Sequence, residues 1–260
     1  MKKVKTLFFV LCATAMYALS PNQAHAFTSV YPNIHGKSLT TPVAWGNAYG
    51  TVYAGAALTT PVPYTDETET AVALGLGIGN PYKNLGVQTT LTVLDPGTSN
   101  DFTLNIHAFR NLGNASAIGV GVENIDLSDS DAWDIEKSYY VVFSHSVGGD
   151  GFINTKTNRS RLHFSIGAGN GGFGNKSDSD IAAGKGEHGT YVFGNVAYEL
   201  FNAFNVIADW NGVNLNAGIS RNFLIDRKVP IVITIGAADL TDNSGDGIRL
   251  IAGIGTGFML

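Results

Sequence analysis

Residues 213–220 read VNLNAGIS, and apolar residues stand at the odd positions of this stretch while polar or small residues stand at the even ones. Because the side chains of a β-strand point alternately to its two faces, a period of two predicts a strand with one apolar and one polar face. The same period recurs at 87–93, 102–108, 161–168 and 248–254. The sequence therefore predicts an all-β fold.

Further strand candidates bring the count to about twelve, each about 9–11 residues long, which exceeds the usual soluble strand of about 5–6 residues. That length matches a tilted strand that crosses a bilayer. No apolar run after residue 26 is long enough for a membrane-spanning helix. The weaker candidates lie at 48–59, 71–79, 115–123, 138–147, 190–200, 203–211 and 230–240.

The links between these strands alternate between short turns and long polar loops, as the two ends of an outer-membrane barrel require. Two links depart from the alternation: 148–160 is long where a short turn is expected, and Asn211-Gly212 is short where a long loop is expected. Either the strand count is off by one or two, or the loops are irregular. The short links are 80–84, 111–114 and 201–203, and the long ones are 60–70, 124–137 and 170–189.

The character of the polar face distinguishes a barrel from a soluble sandwich, which also alternates. This face carries Asn, Thr, Ser, Gly and His rather than many Lys and Glu, which suits a lumen. Aromatic residues gather near strand ends, where interface girdles lie. These aromatics are Phe102, Phe109, Tyr139, Tyr191, Phe201, Phe204, Trp210, Phe223 and Phe258.

We therefore predict a closed antiparallel up-and-down transmembrane β-barrel of about twelve strands, spanning residues 47–260. Its interior is wider than that of a filled eight-stranded barrel and narrower than that of a porin. Strand parity predicts which polar side chains face this lumen, where they form either a selectivity ring or a structural network. They are Asn105, His107, Glu123, Arg161, His163, Glu199, Asp209, Asn214, Asn216 and Arg249.

The last strand resembles that of Gram-negative outer-membrane β-barrels, in which alternating apolar residues end on an aromatic near the C-terminus. Ile254, Phe258 and Leu260 match this pattern in part, since the family usually ends on Phe or Trp. The resemblance implies outer-membrane lipid and the barrel-assembly machinery as partners. A fainter likeness, over Leu39-Thr40-Thr41-Pro42-Val43-Ala44, is to YjbH-type barrels linked to exopolysaccharide, and it adds small solutes or polysaccharide as candidate partners.

Residues 1–26 have the parts of a cleavable signal peptide: basic residues to Lys5, an apolar stretch and a polar end at Ala24-His25-Ala26. The chain is therefore expected outside the cytoplasm, in the outer membrane or otherwise in the periplasm or secreted. Residues 27–46 are expected to form an N-terminal arm or a plug in the barrel mouth. Cys12 is the single cysteine, so the mature chain has no disulfide.

Composition and spacing exclude several classes of site. The net charge of −5 leaves no basic stripe for a nucleic acid. The acidic residues of loop 124–137 have no EF-hand spacing, and His35 and His188 have no metal-ligand spacing. We expect neither a metal nor a cofactor.

Ser144-His145-Ser146 is the one candidate for catalysis, because outer-membrane phospholipases and lipid A deacylases are barrels with His and Ser on one outward face. In those enzymes the serine follows two residues after the histidine, but here Val147 holds that position. Adjacent strand residues point to opposite faces, so we predict no catalytic residues. The expected function is a small passive pore or a structural envelope protein. The alternatives are a soluble periplasmic or secreted β-sandwich or barrel that binds a carbohydrate, and a lipid-modifying barrel enzyme.

Overall fold

The computed structural model describes residues 36–96, 101–128, 136–149, 151–225 and 229–260. The predicted signal peptide at 1–26 and the first part of the predicted arm lie outside the described residues. Twelve strands form one closed antiparallel barrel. These strands are β1 (Thr51–Thr60), β2 (Glu69–Gly79), β3 (Gly86–Leu94), β4 (Phe102–Gly113), β5 (Ser116–Asp126), β6 (Ser138–Val147), β9 (Leu162–Gly169), β10 (Val192–Phe201), β11 (Phe204–Trp210), β12 (Leu215–Ile225), β13 (Val229–Ala238) and β14 (Arg249–Met259).

The barrel closes where its first and last strands pair, with Thr51 opposite Met259 and Thr60 opposite Leu250. Every other barrel strand pairs antiparallel with the barrel strands before and after it in the chain. The predicted all-β, up-and-down barrel of twelve strands is confirmed.

Three short elements lie between barrel strands. Strands β7 (Ile153–Asn154) and β8 (Arg159–Ser160) form a small hairpin between β6 and β9. The link from β9 to β10 contains a 3-10 turn (Gly171–Phe173) and helix α1 (Asp178–Ala182). No helix in the described ranges is long and apolar enough to cross a membrane.

The two ends of the barrel differ in the length of their links. One end, the long-loop end, carries the links after β1, β3, β5, β9, β11 and β13, and the other, the short-turn end, carries the remaining links and the C-terminus. Both exceptions to the alternation are real: 148–161 holds the β7–β8 hairpin at the short-turn end, and 211–214 is short at the long-loop end. The strand count was therefore right, and the loops are irregular.

The apolar face of the sheet is the outer face. Along β2 from Val72 to Ile78, the exposed residues are apolar, and Leu74 and Ile78 expose 59% and 51% of their surface. Along β3, Gln88, Thr90 and Thr92 are buried inside. This arrangement is the reverse of a soluble β-sandwich, so the soluble alternative is wrong. The structure corrects one of the aromatic residues assigned to the girdle, since Phe109 is buried.

Candidate functional site in the barrel lumen

The chain before β1 runs through the lumen. Every residue from 36 to 48, hereafter the N-terminal segment, is buried. The Ser220 hydroxyl on β12 donates to the Gly36 carbonyl at 2.6 Å. At the other end of the segment, the backbone N–H of Asn47 donates to the side-chain oxygen of Gln88 on β3 at 2.7 Å. The segment therefore crosses the lumen from the β12 wall to the β3 wall.

Asp209 on β11 is the main polar contact of the N-terminal segment. Its carboxylate accepts the backbone N–H groups of Leu39 at 2.9 Å and Thr40 at 2.8 Å, and the Thr40 hydroxyl at 3.0 Å. The Asn216 amide donates to the same carboxylate at 2.9 Å and so orients it. Hydrogen bonds to a carboxylate are about twice as strong as neutral ones, so Asp209 anchors this part of the segment.

Lys37 brings a buried ammonium group into the lumen. Only 1% of the residue's surface is exposed, and Nζ donates to the Asn205 side chain on β11. The Asn205 amide in turn donates to the Ser220 hydroxyl at 2.8 Å. The Glu199 carboxylate on β10 acts electrostatically on the same ammonium group. Asn154 of the β7–β8 hairpin donates to that carboxylate at 2.6 Å.

On the opposite side, the segment packs against aromatic residues of the wall. The Ala44 amide donates to the Ser144 hydroxyl at 2.7 Å. Trp45 meets the His163 ring edge-on, with centroids 6.0 Å apart. The remaining contacts form an apolar cluster of Val43, Ala44, Trp45, Ala117, Tyr140, Val142, Phe173 and Phe193.

Nine of the ten side chains predicted to face the lumen are buried in the structure: Asn105, His107, Glu123, His163, Glu199, Asp209, Asn214, Asn216 and Arg249. Arg161 differs from them, because it lies just before β9 and is half-buried. Its guanidinium donates to the backbone carbonyls of Glu199 and Leu200 and lies over the Tyr198 ring. Arg161 therefore belongs to the edge of the barrel at the short-turn end.

The two buried histidines hold neighbouring wall residues. The His107 Nδ1 and the Tyr140 hydroxyl are 2.8 Å apart. The His163 Nδ1 lies 2.7 Å from the Ser146 hydroxyl, and its Nε2 lies 3.1 Å from the Ser160 carbonyl. His163 thus links adjacent elements of the inner wall, whereas His107 on β4 reaches past β5 to Tyr140 on β6.

Several buried side-chain atoms of the inner wall have no hydrogen-bond partner among the described residues. Both carboxylate oxygens of Glu123 and the amide nitrogen of Asn105 are buried and unpaired, as are the hydroxyls of Thr92 and Thr103. These residues lie on β3, β4 and β5, toward the long-loop end. An unpaired buried polar group costs about 1–3 kcal/mol, so water or a polar solute that reached these groups would stabilise this part of the wall.

Three loops at the long-loop end meet at Asp180 of α1. Its carboxylate accepts the Tyr64 hydroxyl at 2.7 Å, the Ser244 hydroxyl at 2.8 Å and the Gly245 amide at 2.7 Å. Burial acts to raise the pKa of Asp180, but these hydrogen bonds and one from Ser177 outweigh it and hold the pKa below its ordinary value. Below them, Arg249 donates from Nε to Asp239 at 2.6 Å.

Ser144, His145 and Ser146 do not form one site. Ser144 and Ser146 are buried, whereas His145 is half-buried. The His145 Nδ1 lies 2.8 Å from the Ser116 hydroxyl of the neighbouring strand. Among the described residues, no side chain hydrogen-bonds the other ring nitrogen of His145, and no group of three or more His, Cys, Asp or Glu could hold a metal ion.

Some lumen residues were absent from the sequence prediction. Asn205 shares the parity of Asp209 and could have been found by the same rule. Lys37 has no such signal, because the N-terminal segment has no periodicity and its contacts are made by single hydrogen bonds.

A closed sheet with an apolar exterior satisfies every strand's backbone inside lipid. Its even number of strands, with long loops at one end and shorter turns at the other, is the architecture of bacterial outer-membrane proteins. The chain is therefore an outer-membrane β-barrel.

No protein-family model and no curated protein sequence matches the chain. Solved barrels match it in shape: outer membrane phospholipase A from Escherichia coli is 12% identical, with 81% of this chain and 92% of that chain covered and a TM-score of 0.45. The KdgM porin is 10% identical, with 80% of this chain and 99% of that chain covered and a TM-score of 0.46. Omp33 of Acinetobacter baumannii is 9% identical, with 82% of this chain and 98% of that chain covered and a TM-score of 0.38.

Similarity at this level does not indicate what this chain transports, binds or catalyses. A structure of the KdgM porin also contains a disordered oligogalacturonate. None of these matches supports the YjbH-type likeness of residues 39–44, which are buried contacts of the N-terminal segment.

Proposed function

We propose that this chain is a narrow outer-membrane pore for small solutes, and that its own N-terminal segment closes the lumen as a plug. The observation that carries the proposal is the burial of residues 36–48 against both walls of the barrel. A twelve-stranded barrel is too wide for its inward side chains alone to fill. The N-terminal segment fills the space that the inward side chains of the wall leave open.

The energetics of the wall favour a plug that can be displaced. Asp209 holds the segment through charge-assisted hydrogen bonds. Against this, the Glu123 carboxylate and the Asn105 amide nitrogen are buried without a hydrogen-bond partner among the described residues. Water that entered the lumen would hydrate these groups and recover part of the cost of about 1–3 kcal/mol for each.

The same geometry gives no support to the lipid-hydrolase alternative. A catalytic serine needs a base that a third group orients. The Ser116–His145 pair has no such third group among the described residues.

The test is planar-bilayer recording of the purified chain and of Asp209→Asn. In the variant, an amide nitrogen replaces one acceptor oxygen. In either orientation it faces a donor, the N–H groups of Leu39 and Thr40 or the Asn216 amide, so the plug loosens. We expect rare conductance steps from the wild type and longer open periods from the variant. Glu67→Gln, an exposed acid in the loop after β1, is the matched control and should behave like the wild type.

Two results would contradict the proposal. Steady conductance from the wild type would mean that the N-terminal segment does not close the lumen. Silent recordings from Asp209→Asn that is demonstrably inserted would leave a structural envelope role in place of a pore.

A further inference from the structure

We infer that the place now occupied by the Lys37 ammonium group, beside Asn205 of the inner wall, is the pore's binding site for small organic cations that carry a primary ammonium group. The inference rests on the proposed pore function. Lys37 then acts as a tethered stand-in for the solute, and it leaves this place when the plug moves.

The wall around the ammonium group is held in place by hydrogen bonds that do not involve Lys37. Asn205 on β11 is oriented by Ser220 on β12. Glu199 on β10 is held by Asn154 of the β7–β8 hairpin. These partners belong to the barrel and its hairpin, so displacement of the N-terminal segment leaves the Asn205 amide oxygen at the place that Lys37 vacates, with the charge of Glu199 still acting on that place. An ammonium group donates three hydrogen bonds and suits such acceptors.

The charge balance of the lumen favours a cation over an anion. Within the described ranges, the buried acids of the barrel wall outnumber its buried arginine and lysine side chains, of which there is one, Arg249, and it is paired with Asp239. The N-terminal segment adds one further buried base, Lys37. The buried acids of the wall are Glu69, Glu123, Glu199, Asp209 and Asp239.

Removal of Lys37 from this lumen leaves acidic groups that need a counter-charge, because buried charges are costly unless they are paired. A solute cation that enters the same place restores the pairing. An anion would meet Glu199 and Asp209 and gain no comparable partner, since Arg249 is already bound. The inferred solutes therefore exclude acidic sugars and other small anions.

The test is chemical rescue of Lys37→Ala in the purified full-length chain, folded in detergent. The readout is the temperature at which the compact form is lost on SDS gels. We expect the variant to lose stability and n-butylammonium chloride to restore several degrees of it, because this ion carries the same primary ammonium group on an alkyl chain as the missing part of the Lys37 side chain. Neither n-butanol nor sodium chloride at the same concentration should do so.

Lys83→Ala is the matched control, since Lys83 is exposed in the turn between β2 and β3. It should gain nothing from n-butylammonium, and neither should the wild type. If Lys37→Ala folds poorly, the yield of compact form after refolding with and without n-butylammonium is the readout.

Equal shifts with sodium chloride, equal shifts in the wild type, or no rescue at all would overturn the cation site. Because the rescue experiment measures folding, a missing rescue contradicts the cation site alone. The proposed pore function is tested separately by the bilayer recordings. Silent bilayers combined with a clear rescue would instead contradict the pore and keep the site.

Discussion

Gly77 on β2 is a point of close approach between the barrel wall and the N-terminal segment. A Cβ added there would lie 2.2 Å from the carbonyl carbon of Asn47 and 2.3 Å from its oxygen. Such overpacking costs about 1–3 kcal/mol. We expect Gly77→Ala to lower the midpoint temperature for loss of the compact form and to lengthen open periods in bilayers.

Gly236 on β13 provides the comparison for this prediction. A Cβ at Gly236 would lie 3.0 Å from the Ala217 carbonyl oxygen and 3.3 Å from the Leu39 side chain, which can shift. Gly236→Ala should therefore have the smaller effect in both assays. Equal effects of the two substitutions would show that the contact at Asn47 does not resist a side chain.

Asp180 makes the loops at the long-loop end sensitive to acid. Its pKa lies below the ordinary value of 3.8 because hydrogen bonds outweigh burial. The carboxylate therefore stabilises the loops above the ordinary pKa, and this contribution is lost as pH falls through the folded-state pKa. We expect the hydrogen-exchange protection factor of the Gly245 amide to fall in strong acid. Asp180→Asn should have low protection at every pH, and unchanged protection in the variant would contradict this role.

Single residues were predictable from sequence where strand parity applied. Asn105 and Asn216 lie on strands, so alternation alone assigns them to the polar face. Arg161 was not predictable in this way, because the regular strand begins at Leu162 and a long side chain outside it can turn to the barrel edge. Parity holds only within the hydrogen-bonded ladder.

The N-terminal segment is the element whose movement the proposed function requires. Its Ala44 amide lies 2.7 Å from the Ser144 hydroxyl on β6, so cysteines at these two positions are close enough to cross-link. We expect an oxidised Ala44→Cys/Ser144→Cys chain that also carries Asp209→Asn to be silent in bilayers. A reductant should restore the conductance of Asp209→Asn.

Each single-cysteine chain with Asp209→Asn is the control, and its conductance should not respond to the reductant. Conductance that persists in the verified cross-linked chain would mean that solutes pass beside the segment without displacing it.

At the scale of elements, strands were more predictable than the segment inside them. A long strand repeats its period over several residues, as β12 does from Leu215 to Ser220, so errors at single positions cancel. The path of the N-terminal segment depends on contacts with distant strands, such as Thr40 with Asp209. No local pattern encodes such pairs, so the sequence indicated an arm or a plug without its contacts.

The whole molecule follows from one requirement, that no strand edge be left unpaired in lipid. The length and alternation of the strands predicted this closed sheet from sequence. The two irregular links did not disturb it, because the β7–β8 hairpin and residues 211–214 lie outside the ladder.

Closure predicts how the molecule responds to detergent and to a broken ladder. Ile254 on β14 pairs with Ala56 on one side and Ile233 on the other, so its N–H group lies in a ladder with one of these neighbours. Ile254→Pro removes that donor and opens the sheet at its closing seam. We expect the wild type to migrate differently on SDS gels before and after boiling, and Ile254→Pro to lose this shift. Ile254→Val should keep it. A proline variant that retained the full shift would show that the closing pair is not needed for the compact form.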